Sequence, residues 1–234
     1  MNILGIIPAR GGSKGIPRKN IIPFAGKPLL YYTCQAALGS QELGRIIINT
    51  DDPEIADLGR QFGIDTPFLR PVHLAGDDIT IHPVIMNTLE WLENSEGYYV
   101  DMVVLLQPTS PLRTSFHIDS ALRMILDSDA DTLVSVQKLP HNFSPSSLMK
   151  LDDQGFLHPF EEGKMILRRQ VKPIYYARND PAILIVRRNV LDSGRLYGQT
   201  ILPFKMSRLD SFDIDDMEDL ILVELLFNYQ KSRK

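Results

Sequence analysis

An α/β fold with a mostly parallel sheet is predicted by three observations. Short apolar runs rich in β-branched residues, notably Ile3 to Ile7 and the DMVVLL stretch from Asp101 to Leu106, read as buried strands. Amphipathic stretches with helical spacing lie between such runs, the pattern of strand–helix–strand units. Polar clusters follow both of these strands at their carboxyl ends, the edge at which open α/β sheets bind ligands.

The first strand stops at Pro8 and opens into Arg10, Gly11, Gly12, Ser13, Lys14, Gly15, Ile16, Pro17, Arg18, Lys19 and Asn20. Small residues let backbone N–H groups approach an anion closely, and four cations between positions 10 and 19 supply charge that a polyphosphate would neutralise. The alternative is a solvated basic loop. Two better-known phosphate loops are excluded: Gly15 is followed by Ile16 where a P-loop needs Lys, and Gly11, Gly12 and Gly15 lack the G-x-G-x-x-G spacing. We read the stretch as a nucleotide site.

The 234 residues suffice for one large domain, and 44% hydrophobic with 23% charged residues is an ordinary globular composition. A formal net charge of −4 argues against general nucleic-acid binding. The opening apolar run is too short for a secretory leader, and no apolar stretch approaches the roughly 20 residues that span a bilayer. The expected setting is cytoplasmic. The single cysteine, Cys34, lies in an amphipathic stretch and reads as a small buried hydrophobe.

Along the chain, Pro28 opens a helix over 29–38 that ends near Gly39, and a strand follows from Arg45 to Asn49. Asp51 and Asp52 precede a helix over 53–62, where capping competes with metal binding. A helix is expected from about His82 to Asn94; His73 and His82 have no partners at metal-ligand spacing. Thr114 is placed to cap a helix carrying Ile118, Ala121, Leu122, Ile125 and Leu126. A strand over 131–137 is followed by a stretch without helical period, in which 147–151 and 156–160 read as a small antiparallel excursion. A strand over 183–186 and a closing helix to about Gln230 complete the reading. In the extended segment before that helix, Asp213 and Asp215 present two carboxylates to one side while Phe212 and Ile214 face the core, a plausible Mg²⁺ pair. Helix capping is the competing role, with Asp215 and Glu218 at capping-box spacing.

Four ordered motifs carry a family resemblance: Ile7-Pro8-Ala9-Arg10 running into Ser13-Lys14-Gly15-Ile16-Pro17 and Lys19-Asn20; Leu69-Arg70-Pro71; Gln107-Pro108-Thr109-Ser110-Pro111-Leu112-Arg113; and Ser211-Phe212-Asp213-Ile214-Asp215. The chain resembles the CMP-sialic acid synthetases (acylneuraminate cytidylyltransferases), including the legionaminate and pseudaminate types, over essentially its whole length. The resemblance implies a Rossmann-like three-layer α/β/α nucleotidyltransferase fold in one domain over 1–234, with a dimerisation and substrate arm over 138–175. It implies transfer of CMP from CTP to a 2-keto-3-deoxy nonulosonic acid, with release of pyrophosphate. Ala9, Arg10, Ser13, Lys14 and Lys19 would hold the triphosphate, Asn20 the ribose and Arg70 the cytosine, with Thr80 the nearest further hydroxyl. Gln107, Thr109, Ser110 and Arg178 would meet the sugar acid, and Asp213 and Asp215 would hold Mg²⁺. Arg168, Arg169 and Lys172 on the arm are candidate cations for the sugar carboxylate, or a solvated face. Arg10, Lys19 and Asp213 are the residues expected at the reaction itself, and a homodimer is implied. One departure stands out: Asp180 occupies a position where the family has Gly. An octulosonate-using (Kdo-type) enzyme, a lapsed nucleotide-binding protein and a structural partner protein are the alternatives.

Overall fold

The structure is a computed structural model that describes residues 1–160, 173–178 and 181–232. In chain order its strands are β1 (Ile3–Pro8), β2 (Pro23–Phe24), β3 (Lys27–Pro28), β4 (Arg45–Asn49), β5 (Met102–Leu105), β6 (Thr132–Lys138), β7 (Met149–Leu151), β8 (Leu157–Pro159), β9 (Tyr176–Ala177), β10 (Leu184–Arg187) and β11 (Ile201–Met206). The α-helices are α1 (Leu29–Leu38), α2 (Pro53–Gln61), α3 (Ile81–Glu96), α4 (Ser115–Leu126), α5 (Arg188–Asp192) and α6 (Met217–Lys231). The main sheet has the order β11-β6-β10-β5-β1-β4, with β9 paired to β6. β10 is antiparallel to both neighbours, while β1, β4 and β5 are mutually parallel and β11 is parallel to β6.

The apolar runs are continuous because both faces of the sheet are covered. Ile7, Ile48, Met102, Val104 and Ile185 point to one face, where they pack with Leu30, Cys34 and Ala37 of α1, Ile55 of α2 and Ile118 to Ile125 of α4. Leu4, Ile6, Ile47, Val103, Leu105 and Val186 alternate with them and meet Ile85, Leu89 and Leu92 of α3 and Val190 of α5. This is the expected three-layer arrangement. Cys34 is buried as expected, and burial pushes its thiol pKa up to about 12.

Every loop that carries a motif leaves the same sheet edge, because β1, β4, β5, β6 and β11 run in one direction. A third apolar cluster lies beneath them. Ile16 from the first loop, Leu112 from the 107–113 loop and Ile214 from the last segment are all buried together with Phe24, Leu29, Leu220 and Val223. The 149–159 region is an antiparallel hairpin of β7 and β8, as expected of the excursion, and its Leu151, Phe156 and Leu157 are exposed.

Two expectations are corrected. β11 was not anticipated: it is an edge strand whose Pro203 lacks the N–H of a ladder donor, and its residues alternate between half-buried and exposed. The cap of α6 is Asp216, which accepts from the backbone N–H groups of Glu218 and Asp219, while Asp219 accepts in turn from Asp215 and Asp216. The box therefore sits one residue later than the Asp215–Glu218 spacing suggests, and the Asp215 side chain remains 73% exposed.

Ile214 is fully buried between the two carboxylates it separates. Truncating it should cost about 2–5 kcal/mol through lost burial and a residual cavity. Ile214→Ala is thus expected to lower the urea midpoint without changing its slope; an unaltered midpoint would show that the third cluster does not anchor this segment.

Candidate active site

The first loop is held from three sides. Asp51, just beyond β4, accepts the Gly11 N–H at 3.0 Å, and a Cβ on Gly11 would come within 2.8 Å of Asp52. Asp52 itself caps α2 by accepting from Glu54 and Ile55, which resolves the Asp51–Asp52 pair as structural acceptors. Arg18, in a left-handed backbone conformation at φ 55°, donates to Asp52 and Glu54. Within the loop, Asn20 is buried and its Nδ2 donates to the Arg10 carbonyl at 2.9 Å.

The loop also touches the last motif directly. The Lys19 ammonium donates to the Ile214 carbonyl at 2.8 Å and lies 3.6 Å from Asp215. A Cβ on Gly15 would stand 2.4 Å from the Asp215 carbonyl oxygen, so this crossing of two backbones requires glycine. The 107–113 loop joins the same assembly: Ile214 N–H donates to the Thr109 carbonyl at 3.0 Å, and the Ser110 hydroxyl donates to Asp213 at 3.2 Å. Pro8, Arg10, Ser13, Lys14, Lys19, Asn20, Gln107, Thr109 and Asp215 thereby line one cleft of about 280 Å³. Asp215 is shared with a neighbouring cavity of about 480 Å³, on whose wall Asp213 and Asp219 also stand.

Sequence reasoning passed over two residues here. Asp77 forms ion pairs with Arg10 at 2.7 Å and Lys14 at 3.1 Å, and those hydrogen bonds hold its carboxyl below the ordinary range. It is the last residue of the segment that opens with Leu69-Arg70-Pro71 and carries no role in the sequence reading, and nothing in the spacing reveals that it faces the first loop. Arg113 is only 2% exposed and bonds to the Gln107 and Ala182 carbonyls at 3.1 and 2.6 Å and to the Thr33 hydroxyl at 2.7 Å. Burial pulls its pKa down to about 9, opposed by the field of Asp213.

The remaining expected residues are placed as follows. Ala9 is buried and its N–H donates to Asn49 O at 3.0 Å. Arg70 is also buried, its Nε and one terminal nitrogen committed to Asn49 at 2.5 and 2.6 Å, which braces the end of β4. Thr80 is exposed at the start of α3, and His82 Nε2 donates to the Leu191 carbonyl at 2.9 Å. The Thr109 hydroxyl is buried in the cleft wall with no partner among the described residues, a state that costs about 1–3 kcal/mol unless a ligand or water fills it. Arg178 lies over the Tyr197 ring at 4.7 Å and stands apart from the 280 Å³ cleft. Arg168, Arg169, Lys172 and Asp180 lie outside the described residues.

Residues 4–231 match the family model described as Cytidylyltransferase. The chain belongs to the cytidylyltransferase family. Among curated relatives, it is 33% identical to a CMP-N,N'-diacetyllegionaminic acid synthase of Legionella pneumophila over 99% of both chains. It is 30% identical to an N-acylneuraminate cytidylyltransferase of Streptococcus agalactiae, covering 100% of this chain but 56% of that relative. Among solved structures, a CMP:2-keto-3-deoxy-manno-octonic acid synthetase complexed with CTP superposes with a TM-score of 0.73 at 17% identity, covering 98% of this chain and 100% of the other. The last comparison speaks to the fold alone. This cytidylyltransferase is therefore a nucleotidyltransferase with a Rossmann-like fold. No helix among its described residues is long and apolar enough to cross a membrane.

Two outcomes test the site's construction. Gly15→Ala should force the first loop off the 213–215 segment, at a cost of about 1–3 kcal/mol, and a raised KM for the nucleotide checks it. The second concerns His117, whose Nδ1 accepts the Thr114 N–H at 3.2 Å at the start of α4. Burial lowers its pKa, with Asp210 opposing and Arg113 reinforcing. The unfolded chain then takes up the proton first, so stability is complete above the ordinary histidine pKa of about 6.5 and declines as pH falls below it. His117→Gln should flatten the slope of stability against pH in that window, as read by urea unfolding at successive pH values.

Proposed function

We propose that this cytidylyltransferase activates a 2-keto-3-deoxy nonulosonic acid with CTP, giving the CMP-sugar and pyrophosphate. The observation that carries the reading is the meeting of a cationic loop and a carboxylate pair, with Lys19 between them at 2.8 Å from the Ile214 carbonyl and 3.6 Å from Asp215. Arg10, Lys14 and Lys19 suit a triphosphate, with Ser13 and the glycine backbone close by. The named relatives, which synthesise CMP-linked nonulosonic acids, support the acceptor class.

The chemistry is in-line attack of the acid's anomeric 2-hydroxyl on the α-phosphorus. A P–O bond to the sugar forms, the bond to pyrophosphate breaks, and the hydroxyl proton passes to solvent or to a carboxylate of the 213–215 pair. Positioning and charge stabilisation supply most of the acceleration. Arg10 and Lys14 must exchange Asp77 for phosphate oxygens, so nucleotide entry releases the Asp77 carboxylate. Gln107 and the orphan Thr109 hydroxyl offer hydrogen bonds to the acceptor, and Ser110 orients Asp213.

Asp213 and Asp215 fit Mg²⁺ by donor type. Both stand on the wall of one cavity, and Mg²⁺ beside substrate phosphates takes one or two carboxylates, so phosphate oxygens and water would complete the shell. Bound there, Mg²⁺ would balance the charge of departing pyrophosphate. A homodimer formed through the 138–175 arm and a cytoplasmic setting belong to the same proposal; the exposed apolar residues of the β7–β8 hairpin support the first.

The test is pyrophosphate release from CTP and Mg²⁺ with N-acetylneuraminic, legionaminic, pseudaminic and 3-deoxy-octulosonic acids, with ATP, GTP and UTP as controls. Turnover is expected with CTP and a nonulosonic acid; turnover confined to the octulosonic acid, or none, would overturn the reading. Asp213→Ala should lower kcat at saturating CTP by about 100-fold or more, the scale of losing transition-state charge stabilisation. Arg10→Ala should both lower kcat and weaken CTP binding.

A further inference from the structure

We infer that Arg208 is the residue that receives the carboxylate of the acid acceptor, an inference that rests on the function proposed above. The cavity of about 480 Å³ beside the nucleotide cleft has Asp213, Asp215 and Asp219 on its wall. With Mg²⁺ proposed on Asp213 and Asp215 and turned to phosphate oxygens, and Asp219 held in the α6 cap, an acceptor that brings its own carboxylate into this space needs a separate cation to receive it. Among the described residues, Arg208 is the one cation that lines this cavity.

Three further observations converge on it. Arg208 also lines the cavity of about 640 Å³, together with Lys138, His141 and Tyr175, so it belongs to the wall that the two spaces share. It makes no hydrogen bond or ion pair with any described residue, whereas Arg10 and Lys14 share Asp77 and Arg178 covers Tyr197. The backbone that carries it is fixed: Asp210 N–H donates to Ser207 O at 3.2 Å, and the Ser211 hydroxyl donates to the same oxygen at 2.7 Å. Arg208 thus shares one short braced segment with Asp213, five residues on. The guanidinium fork matches a carboxylate through two parallel N–H···O bonds. The segment between β11 and α6 then performs two opposite tasks, with carboxylates toward the nucleotide and a cation toward the acid.

The experiment uses full-length protein, CTP, Mg²⁺ and whichever acid of the panel turns over, alongside the methyl ester of that acid. Wild type is expected to prefer acid over ester in kcat/KM by about 10–100-fold, the scale of a charge-assisted hydrogen bond. Arg208→Gln should bring that ratio close to one and raise KM for the acid, with KM for CTP unchanged, and Arg208→Lys should recover part of it. An unchanged ratio in Arg208→Gln, or a ratio that collapses instead in Arg178→Gln or Lys138→Gln, overturns the inference and leaves the proposed function standing. Failure of wild type with every acid overturns both.

Discussion

Three loops far apart in sequence meet because each gives one apolar side chain to a common buried cluster. Ile16, Leu112 and Ile214 sit beneath the polar residues of their own motifs, and each is flanked by groups that face the clefts. Burial of each contributes about 1.5–3 kcal/mol. That apolar floor, rather than any ion pair above it, fixes the distance between the cationic loop and the carboxylate pair. The polar contacts over it then need only select orientation: Lys19 on the Ile214 carbonyl, Ser110 on Asp213, Asn20 on Arg10.

Arg113 extends the same logic to the main core. A buried guanidinium is costly, and here carbonyl oxygens and a hydroxyl supply much of the compensation. Its three acceptors belong to α1, to the 107–113 loop and to the residue before Ile183, so one side chain reports on the position of three elements. The Asp213 field favours its charged form, which links the charge state of the site to the packing behind it.

Much of this was legible because burial leaves a pattern. Strands covered on both faces read as unbroken apolar runs, α1 starts after Pro28 as expected, and α4 carries its period and its Thr114 cap where expected. Cations among glycines mark the first loop as a candidate anion site, whereas paired aspartates are ambiguous in sequence: Asp51 and Asp52 brace the first loop and cap α2. β11 was not legible, because an edge strand with a central proline and a half-exposed face lacks both signals. Arg70 and Arg113 show a different limit. Arg70 reads as a cytosine contact and Arg113 only as the last residue of its motif, and neither reading reveals the hydrogen bonds by which the two buried side chains brace β4 and α1. Asp77 is invisible for a third reason: its partners Arg10 and Lys14 lie more than sixty residues away. The choice of Asp216 over Asp215 as cap turned on one residue of register, which spacing alone does not resolve.

One strand of the main sheet runs backward, and this has a consequence for how such a protein can diversify. Since β10 is antiparallel to β6, the chain leaves the sheet after Lys138 and re-enters at Leu184 on the same edge. The described residues of this detour begin and end at the mouth of the clefts, and the short β9 pairing is among the contacts that tie them to the sheet. Lengthening, shortening or rewriting this detour leaves the register of every other strand untouched. The mouth of the clefts can therefore be rebuilt by changes before Ala182 while the buried pair Ala182 and Ile183, on which Arg113 and the main core rest, stays as it is.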